Sequence, residues 1–198
     1  MVELLLFSLL VSGSENFLNL FAISLSLLLA IPFLLIWLLV KCTSRGPAIY
    51  WSQRVGKNNK IFLMPKFRTM LVDTPQVATH LMTKSDNYLT SVGPFLRKTS
   101  LDEIPQLWSI IKGDMSFVGP RPALFNQDDL IELRTKRGVH LITPGLTGWA
   151  QINGRDEIPI PKKVELDFFY KEKMSFLLDL KIIALTFVKA FIGRDVSH

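Results

Sequence analysis

The longest apolar run of the 198-residue chain extends from Phe17 to Val40 and contains no charged residue. As a continuous helix it would be about 36 Å long, enough for the roughly 30 Å hydrocarbon core of a membrane. Pro32 lies inside the run, removes one backbone donor and predicts a kink or break. The residues therefore leave two alternatives open, a spanning helix and a re-entrant helix that returns to the side it entered.

Charged residues on either side of this run predict its orientation. Lys41 and Arg45 follow it, whereas Glu3 and Glu15 precede it. Basic residues favour the cytosolic side of a membrane segment. We therefore expect a membrane anchor over residues 1–45 and a cytosolic domain over residues 46–198.

Downstream of residue 46 the hydrophobic pattern changes from short extended pieces to helical periods. Ala48–Trp51 and Ile61–Met64 are typical of strands, joined by a turn at 57–60. Helices are predicted at residues 107–111, 128–137, 162–173 and 176–192. Asp179, Lys181 and Lys189 interrupt the last one, which favours an amphipathic interfacial helix or a core helix over a spanning one. The predicted fold class is mixed α/β and mostly helical.

Composition narrows the classes of partner. Nearly half of the residues are hydrophobic and the net charge is +6, which together favour a membrane surface or a phosphate-bearing substrate. The basic residues are dispersed and no nucleic-acid motif is visible, so no nucleic-acid partner is expected. Cys42 is the single cysteine, which excludes an intrachain disulfide, and the three histidines have no zinc-ligand spacing.

The densest chemistry lies between Arg97 and Pro122, where the adjacent acids Asp102 and Glu103 stand between arginines. Arginine forks match phosphate oxygens, and carboxylates hold Mg²⁺ or attack phosphorus. Ser100-x-x-Glu103 fits a capping box, with a helix that begins near Pro105 and lowers the carboxylate pKa values. Neighbouring helical residues point about 100° apart, so the two acids should have different tasks.

Three further features are candidates for phosphate contacts. Lys66 and Arg68 lie two residues apart on a predicted strand and share a face, although a solvated charged edge is the commoner role. Arg121 stands between two prolines, which favours a held guanidinium over a plain rigid turn. The glycine-rich segment 143–155 can offer backbone N–H groups to phosphates, but this signal is weak.

Six motifs, in order, resemble the bacterial sugar transferases of the monotopic phosphoglycosyl transferase type. The chain most resembles the short form, whose catalytic domain stands alone, as in enzymes that begin N-glycan or O-antigen assembly. The matching motifs are KFRTM (66–70), RKTSLDEIPQLW (97–108), KGDMSFVGPRP (112–122), PGLTGWAQINGR (144–155), ELDFFY (165–170) and SFLLDLKI (175–182).

The resemblance implies an activity and a mechanism. Such enzymes move a sugar-1-phosphate from a UDP-sugar to polyprenyl (undecaprenyl) phosphate and release UMP, by a ping-pong route through a phosphosugar–aspartate intermediate. Asp102 would be the nucleophile and the Mg²⁺ contact, and Glu103 would assist by positioning or by proton transfer. The family's basic phosphate-binding residues match Arg97 and Arg121, with Lys66 nearby. Arg155 and Asp167 match other family positions that we expect to bind substrate or phosphate.

The resemblance also implies a location. It favours a re-entrant helix–break–helix at Pro32 in the bacterial inner membrane, with the catalytic domain and its amphipathic interfacial helices on the cytosolic face among membrane lipids. Ile31 and Thr143 depart from the serine and arginine that the family usually has there. Relatives of the short form suggest an N-acetylated UDP-hexosamine as donor.

Three rival hypotheses remain at this stage. The first is a non-catalytic membrane scaffold that binds anionic lipid, and the second is a membrane protein that binds nucleic acid. The third is a family member that binds a nucleotide sugar without turnover. The intact Asp102–Glu103 pair argues against the last of these.

Overall fold

The computed structural model describes residues 24–25, 27–75, 85–154 and 158–192. Helices in these ranges are α1 (Ala30–Thr43), α2 (Gly93–Thr99), α3 (Leu107–Ile111), α4 (Asp128–Lys136), α5 (Trp149–Ile152), α6 (Ile160–Lys173) and α7 (Phe176–Ile192). Strands are β1 (Ile49–Val55), β2 (Ile61–Phe67), β3 (Ser116–Val118), β4 (Ala123–Leu124) and β5 (Gly145–Thr147). Short 3₁₀ helices cover Lys57–Asn59, Ser85–Tyr88, Leu101–Gln106 and Val139–Leu141. The mixed α/β, mostly helical fold class is thereby confirmed.

The predicted hairpin forms the larger sheet. β1 and β2 pair antiparallel from Ile49↔Phe67 to Val55↔Ile61, and β4 pairs with the other edge of β1. The turn between β1 and β2 contains Asn58 and Asn59 with φ of 57° and 58°. Asparagine tolerates this left-handed conformation better than most residues, which explains why the strands reverse here.

A second, two-stranded sheet lies next in the chain. β3 and β5 pair in parallel, with Ser116 opposite Gly145 and Val118 opposite Thr147. Because β4 follows β3 after only four residues, the segment 119–122 connects the two sheets. The Gly-Pro-Arg-Pro segment therefore occupies the junction between them.

Helix α1 packs onto the larger sheet through one apolar cluster. Ile36 and Val40 of α1 are buried against Ala48, Phe67 and Leu96. The rings of Phe33 and Phe67 lie 4.9 Å apart, which adds an aromatic contact to this interface. The end of the apolar segment is thus part of the folded domain.

Near Pro32, where the sequence predicts a break, the backbone is irregular at Leu29, but hydrogen bonds from Leu29 N to Leu25 O (2.9 Å) and from Phe33 N to Leu29 O (2.8 Å) continue across it. Residues 27–28 and α1 are helical, but Leu29 between them has φ/ψ of −87°/1°. Pro32 then lies in the first turn of α1, where its missing N–H is tolerated. Among the described residues, no helix combines the length and apolar character needed to cross a membrane. Residues 1–23 lie outside the described part of the chain, and the re-entrant path stays a prediction.

The main core lies where α7 covers the second sheet. It consists of Met64, Leu107, Ile110, Met115, Phe117, Val118, Ile152, Tyr170 and Ile182. Tyr170 donates a hydrogen bond to Asp179 Oδ1 at 2.8 Å and thereby joins α6 to α7. The predicted helix over residues 176–192 is confirmed, with Ile182 buried in the core and Phe176 and Leu177 exposed, and its contact with a membrane interface stays a prediction.

The predicted capping box is wrong. Ser100 ends α2 in a left-handed conformation, with φ of 56°, and its side chain caps no helix. The acids lie on the 3₁₀ helix Leu101–Gln106, and the α-helix begins at Leu107, near Pro105 as predicted. Glu103 does not reach back to Ser100 because its carboxylate is engaged by two cations.

Candidate active site

Three separate segments bring the site together. Lys66 lies near the end of β2, Asp102 and Glu103 lie on the 3₁₀ helix that packs against β2, and Arg121 lies on the segment between the sheets. The left-handed Ser100 turns the chain sharply after α2, so that the dyad can face β2. The predicted cluster of cations around one acidic pair is therefore present in the fold.

Glu103 is the centre of the ionic contacts. Its Oε1 accepts hydrogen bonds from Lys66 Nζ at 3.0 Å and from Arg121 Nη2 at 2.7 Å. Burial alone would raise the pKa of Glu103, but the charges and hydrogen bonds of Arg121 and Lys66 outweigh this and hold the pKa well below its usual range. Glu103 thus stays ionised and links the two cations.

Asp102 has a different environment from its neighbour. Its Oδ2 lies 4.0 Å from Lys66 Nζ, beyond hydrogen-bond distance, and only 7% of the residue is exposed. Burial raises the pKa of Asp102, Lys66 opposes that change, and the charge of Glu103 adds to it. The expectation that a helix N-terminus lowers both carboxylate pKa values is wrong for Asp102, because desolvation outweighs the favourable charges.

Lys66 and Arg97 are further cations whose environment affects the electrostatics of Asp102 and Glu103. Burial lowers the pKa of Lys66, with a further lowering from Arg121, while Glu103 and Asp102 raise it. Arg97, in the last turn of α2, donates a hydrogen bond from Nε to Thr69 Oγ1 at 3.1 Å, and its charge lowers the pKa of Asp102. Asp102 therefore lies within the electrostatic field of the predicted phosphate-binding cations.

Arg68 reaches a different part of the molecule. Its Nη2 donates to Ser44 O at 3.2 Å and to Ser44 Oγ at 2.9 Å, and the residue is only 5% exposed. Ser44 follows the last residue of α1, so the guanidinium caps the carbonyl end of that helix. Arg68 does not join Lys66 at the dyad, and the observed contact ties β2 to the apolar helix.

Asp167 does not face the dyad either. It is 1% exposed, and its Oδ2 accepts hydrogen bonds from Arg134 Nε at 3.0 Å and Arg134 Nη2 at 2.6 Å. Burial raises the pKa of Asp167, and Arg134 opposes this. Arg134 was not among the predicted site residues, although its helix was predicted at residues 128–137. A usable signal was its place four residues after the buried Leu130, on the same helix face.

The glycine-rich segment has a packing role that the sequence analysis did not predict, and its contact with phosphates stays a prediction. A Cβ on Gly145 would lie 2.1 Å from Gly119 N, and one on Gly148 would lie 2.1 Å from Gly119 O. Gly119 N also donates to Thr147 O at 2.8 Å. The glycines therefore permit close backbone packing against the start of the Gly-Pro-Arg-Pro segment. Arg155, at the end of this motif, lies outside the described residues.

The donor set fits Mg²⁺ only with help from a substrate. In the described part of the chain, no three His, Cys, Asp or Glu side chains form a metal-binding group. Protein-bound Mg²⁺ commonly uses one or two carboxylates together with water and substrate phosphates. Since Glu103 Oε1 is engaged by two cations, Asp102 is the carboxylate that would hold the ion beside a diphosphate.

Comparison with known proteins places this site in a family. The model of the family described as "Bacterial sugar transferase" matches residues 14–193. The uncharacterized sugar transferase EpsL of Bacillus subtilis is 41% identical over 155 residues, which cover 77% of this chain and 74% of that protein.

Two functionally named relatives are longer. The UDP-glucose:undecaprenyl-phosphate glucose-1-phosphate transferase of Klebsiella pneumoniae is 43% identical over 182 residues, and the undecaprenyl-phosphate galactose phosphotransferase of Salmonella typhimurium is 37% identical over 189. Each alignment covers 87% of this chain but 39% of the relative. The predicted transferase class is confirmed, and the chain belongs to the bacterial sugar transferase family.

Proposed function

We propose that this chain transfers a sugar-1-phosphate from a UDP-sugar to polyprenyl phosphate, such as undecaprenyl phosphate, and releases UMP. The observation that carries the proposal is the desolvated Asp102 carboxylate beside the Lys66–Glu103–Arg121 network. Relatives named for sugar-phosphate transfer to undecaprenyl phosphate support the same reaction. Phosphate-transfer chemistry needs this combination of a nucleophile and positioned positive charge.

In the first half-reaction Asp102 attacks the phosphorus that bears the sugar. A bond forms between a carboxylate oxygen and that phosphorus, while the bond from it to the bridging oxygen breaks. The electron pair leaves with UMP, and the sugar phosphate stays on Asp102. Burial favours this step because a poorly solvated carboxylate sheds little water before it attacks.

In the second half-reaction the acceptor phosphate displaces Asp102. An oxygen of polyprenyl phosphate bonds to the sugar-bearing phosphorus, and the phosphorus–carboxylate bond breaks, which regenerates Asp102. A phosphate monoester is largely ionised near pH 7, so the acceptor needs no general base. This favours positioning over proton transfer as the role of Glu103, whose lowered pKa makes it a poor proton acceptor.

Cations of the chain neutralise the transferring phosphate. Arg121 and Lys66 are held side by side on Glu103, and Arg97 contributes charge from α2. Bound Mg²⁺, held by Asp102 and the substrate phosphates, would supply further charge neutralisation on the diphosphate. Removal of Mg²⁺ with a chelator should therefore lower activity without unfolding the protein.

A lipid acceptor requires a site at the membrane surface, and the apolar surface of α1 supports one. Its outward side and the residues before it expose Leu27, Leu28, Ile31, Leu34 and Leu35. We propose that residues 1–45 enter the inner membrane and return near Pro32. The catalytic domain would then lie on the cytosolic face.

Labelling of the two chain ends tests this topology. Val2→Cys and His198→Cys, each in a Cys42→Ser background, would be exposed to an impermeant maleimide in intact cells and in inverted vesicles. A re-entrant anchor predicts labelling of both ends only in inverted vesicles. Labelling of position 2 in intact cells would indicate a spanning helix instead.

The proposed reaction is tested by UMP release from a panel of UDP-sugars with undecaprenyl phosphate and Mg²⁺. The panel contains UDP-glucose and UDP-galactose, which the named relatives suggest, and UDP-N-acetylhexosamines, which the short-form resemblance suggests. Asp102→Asn should abolish release, whereas Asp128→Asn on the exposed start of α4 should not. Equal release by wild type and Asp102→Asn would contradict the proposed nucleophile.

The rival scaffold function makes the opposite prediction for the same variant. Removing an acid should strengthen binding to anionic vesicles and leave any scaffold role intact. Loss of turnover with unchanged vesicle binding in Asp102→Asn would therefore separate the enzyme from the scaffold.

A further inference from the structure

Behind the Gly-Pro-Arg-Pro segment lies a buried ion pair that makes no contact with the dyad itself. Arg134 of α4 is 8% exposed and Asp167 of α6 is 1% exposed. Arg134 donates two hydrogen bonds to the same oxygen, Asp167 Oδ2, from Nε at 3.0 Å and from Nη2 at 2.6 Å. This geometry fixes the plane of the guanidinium and leaves Nη1 to point away from the carboxylate.

That remaining nitrogen reaches the segment that carries the catalytic cation. Arg134 Nη1 donates a 2.8 Å hydrogen bond to the backbone carbonyl of Arg121. The Arg121 side chain in turn donates to Glu103 at 2.7 Å. A continuous series of hydrogen bonds therefore runs from Asp167 through Arg134 and Arg121 to the dyad.

The Arg121 side chain has need of such support because it is 31% exposed. Its backbone is held on both sides, since Gly145 N donates to Pro120 O at 3.0 Å and Arg54 Nη1 donates to Pro122 O at 3.2 Å. Prolines supply no N–H, so residues 120 and 122 are anchored through their carbonyls alone. The contact from Arg134 completes this set at the residue whose side chain serves the site.

We propose that Arg134 and Asp167 are positioning residues, which hold the Arg121 backbone so that its guanidinium stays on Glu103 and the transferring phosphate. This inference rests on the proposed function for its effect on catalysis, and it replaces a direct substrate contact by Asp167. A displacement of about 1 Å in a positioning element is enough to lower turnover about 100-fold.

The test uses a double variant that removes the pair without leaving a buried charge. Arg134→Met with Asp167→Leu substitutes apolar side chains, an exchange that folded proteins often tolerate. Hydrogen exchange of the peptide covering residues 117–125 is the readout that does not need turnover. We expect faster exchange there than in wild type. The matched control is Lys162→Met with Glu165→Gln, which removes an exposed 3.0 Å pair from the same helix α6.

Kinetics supply the second readout. The double variant should lower kcat by about 10- to 100-fold with a smaller change in KM. Combined with Arg121→Ala, it should add less than a threefold further loss, because the pair acts through Arg121. A purely structural role would instead give losses that multiply, and that result would overturn the proposal.

Two outcomes separate this inference from the proposed function. Unchanged exchange at 117–125 in a folded double variant overturns the positioning role whatever the activity. No turnover of any donor by wild type, with faster exchange in the variant, contradicts the proposed reaction alone. If the double variant does not fold, Arg134→Lys takes its place, since an ammonium loses the planar fork that spans both acceptors. The same exchange result is expected from it.

Discussion

Asp102 and Asp167 are both buried aspartates whose pKa values are raised by desolvation, yet their surroundings differ. Asp167 accepts two hydrogen bonds from Arg134 and is almost fully enclosed. Asp102 has its neighbouring cation, Lys66, at 4.0 Å, because Lys66 is bonded to Glu103 instead. Burial is common to both residues, and the geometry of the cation is what distinguishes them.

The comparison shows how one acid can leave another available for reaction. Glu103 holds Lys66 and Arg121 in hydrogen-bond contact, so their charge is present beside Asp102 without a bond that would block its oxygens. In the other pair, by contrast, the guanidinium of Arg134 donates hydrogen bonds directly to the Asp167 carboxylate. A buried carboxylate that is held by direct hydrogen bonds from its cation is suited to hold structure, and one that is charge-compensated at a distance is suited to attack phosphorus.

The largest expected effect is on the activity of Asp102→Asn. Loss of the nucleophile should lower UMP release by at least about 1,000-fold. Because burial disfavours the charged form of Asp102, the neutral amide should leave the melting temperature unchanged or higher. Melting in the same detergent accompanies the activity assay, and a large fall in melting temperature would argue for a structural role instead.

The reverse pattern is expected for Asp167→Ala. Removal of one partner from a buried ion pair leaves Arg134 uncompensated and should cost about 3–5 kcal/mol of stability. The melting temperature of this variant should therefore fall well below that of Asp102→Asn. Equal melting temperatures for the two variants would contradict the distinction drawn between the two carboxylates.

An intermediate effect is expected for Arg121→Ala. Loss of one preorganised cation from a phosphate-transfer site should lower kcat by about 100- to 1,000-fold. Glu103 would still be bonded to Lys66, so the fold should persist. Steady-state kinetics check this, with Lys136→Ala, which removes an exposed pair to Glu132, as the control that should retain activity.

The smallest expected effect is a displacement of the pH profile. Asp102 must be ionised to attack, so kcat/KM should fall as the pH decreases through its raised pKa. Lys66→Met removes a charge that lowers this pKa and should move the acid limb to higher pH. Glu103→Gln removes a charge that raises it and should move the limb to lower pH. Displacements in the same direction would contradict the assignment of Asp102 as the titrating group.

Local patterns were sufficient to predict much of the fold. Alternation and turn residues predicted the β1–β2 hairpin, and helical periods predicted α3, α4, α6 and α7. The 3₁₀ helix that carries the dyad was not foreseen, because a serine followed by an acid three residues later also fits a capping box. The left-handed conformation of Ser100 is followed by packing of this 3₁₀ helix against β2, a long-range contact that short-range sequence rules do not represent.

For the site, too, the residue types could be predicted from the sequence, but some of their contacts could not. Composition and motif predicted Lys66, Asp102, Glu103 and Arg121, which the fold brings together. The sequence did not reveal that Arg68 caps α1 or that Asp167 binds Arg134. Both contacts join segments more than 20 residues apart, and a charged residue looks the same in sequence whether it meets a phosphate or a buried partner.

The most direct test of the central claim is intact-mass spectrometry of the purified protein after incubation with the preferred UDP-sugar and Mg²⁺, without lipid acceptor. The proposed mechanism predicts a mass increase equal to one sugar phosphate on wild type, which disappears when undecaprenyl phosphate is added. Asp102→Asn should show no such increase. An unmodified wild-type protein that nevertheless turns over the donor with acceptor present would contradict a covalent intermediate on Asp102.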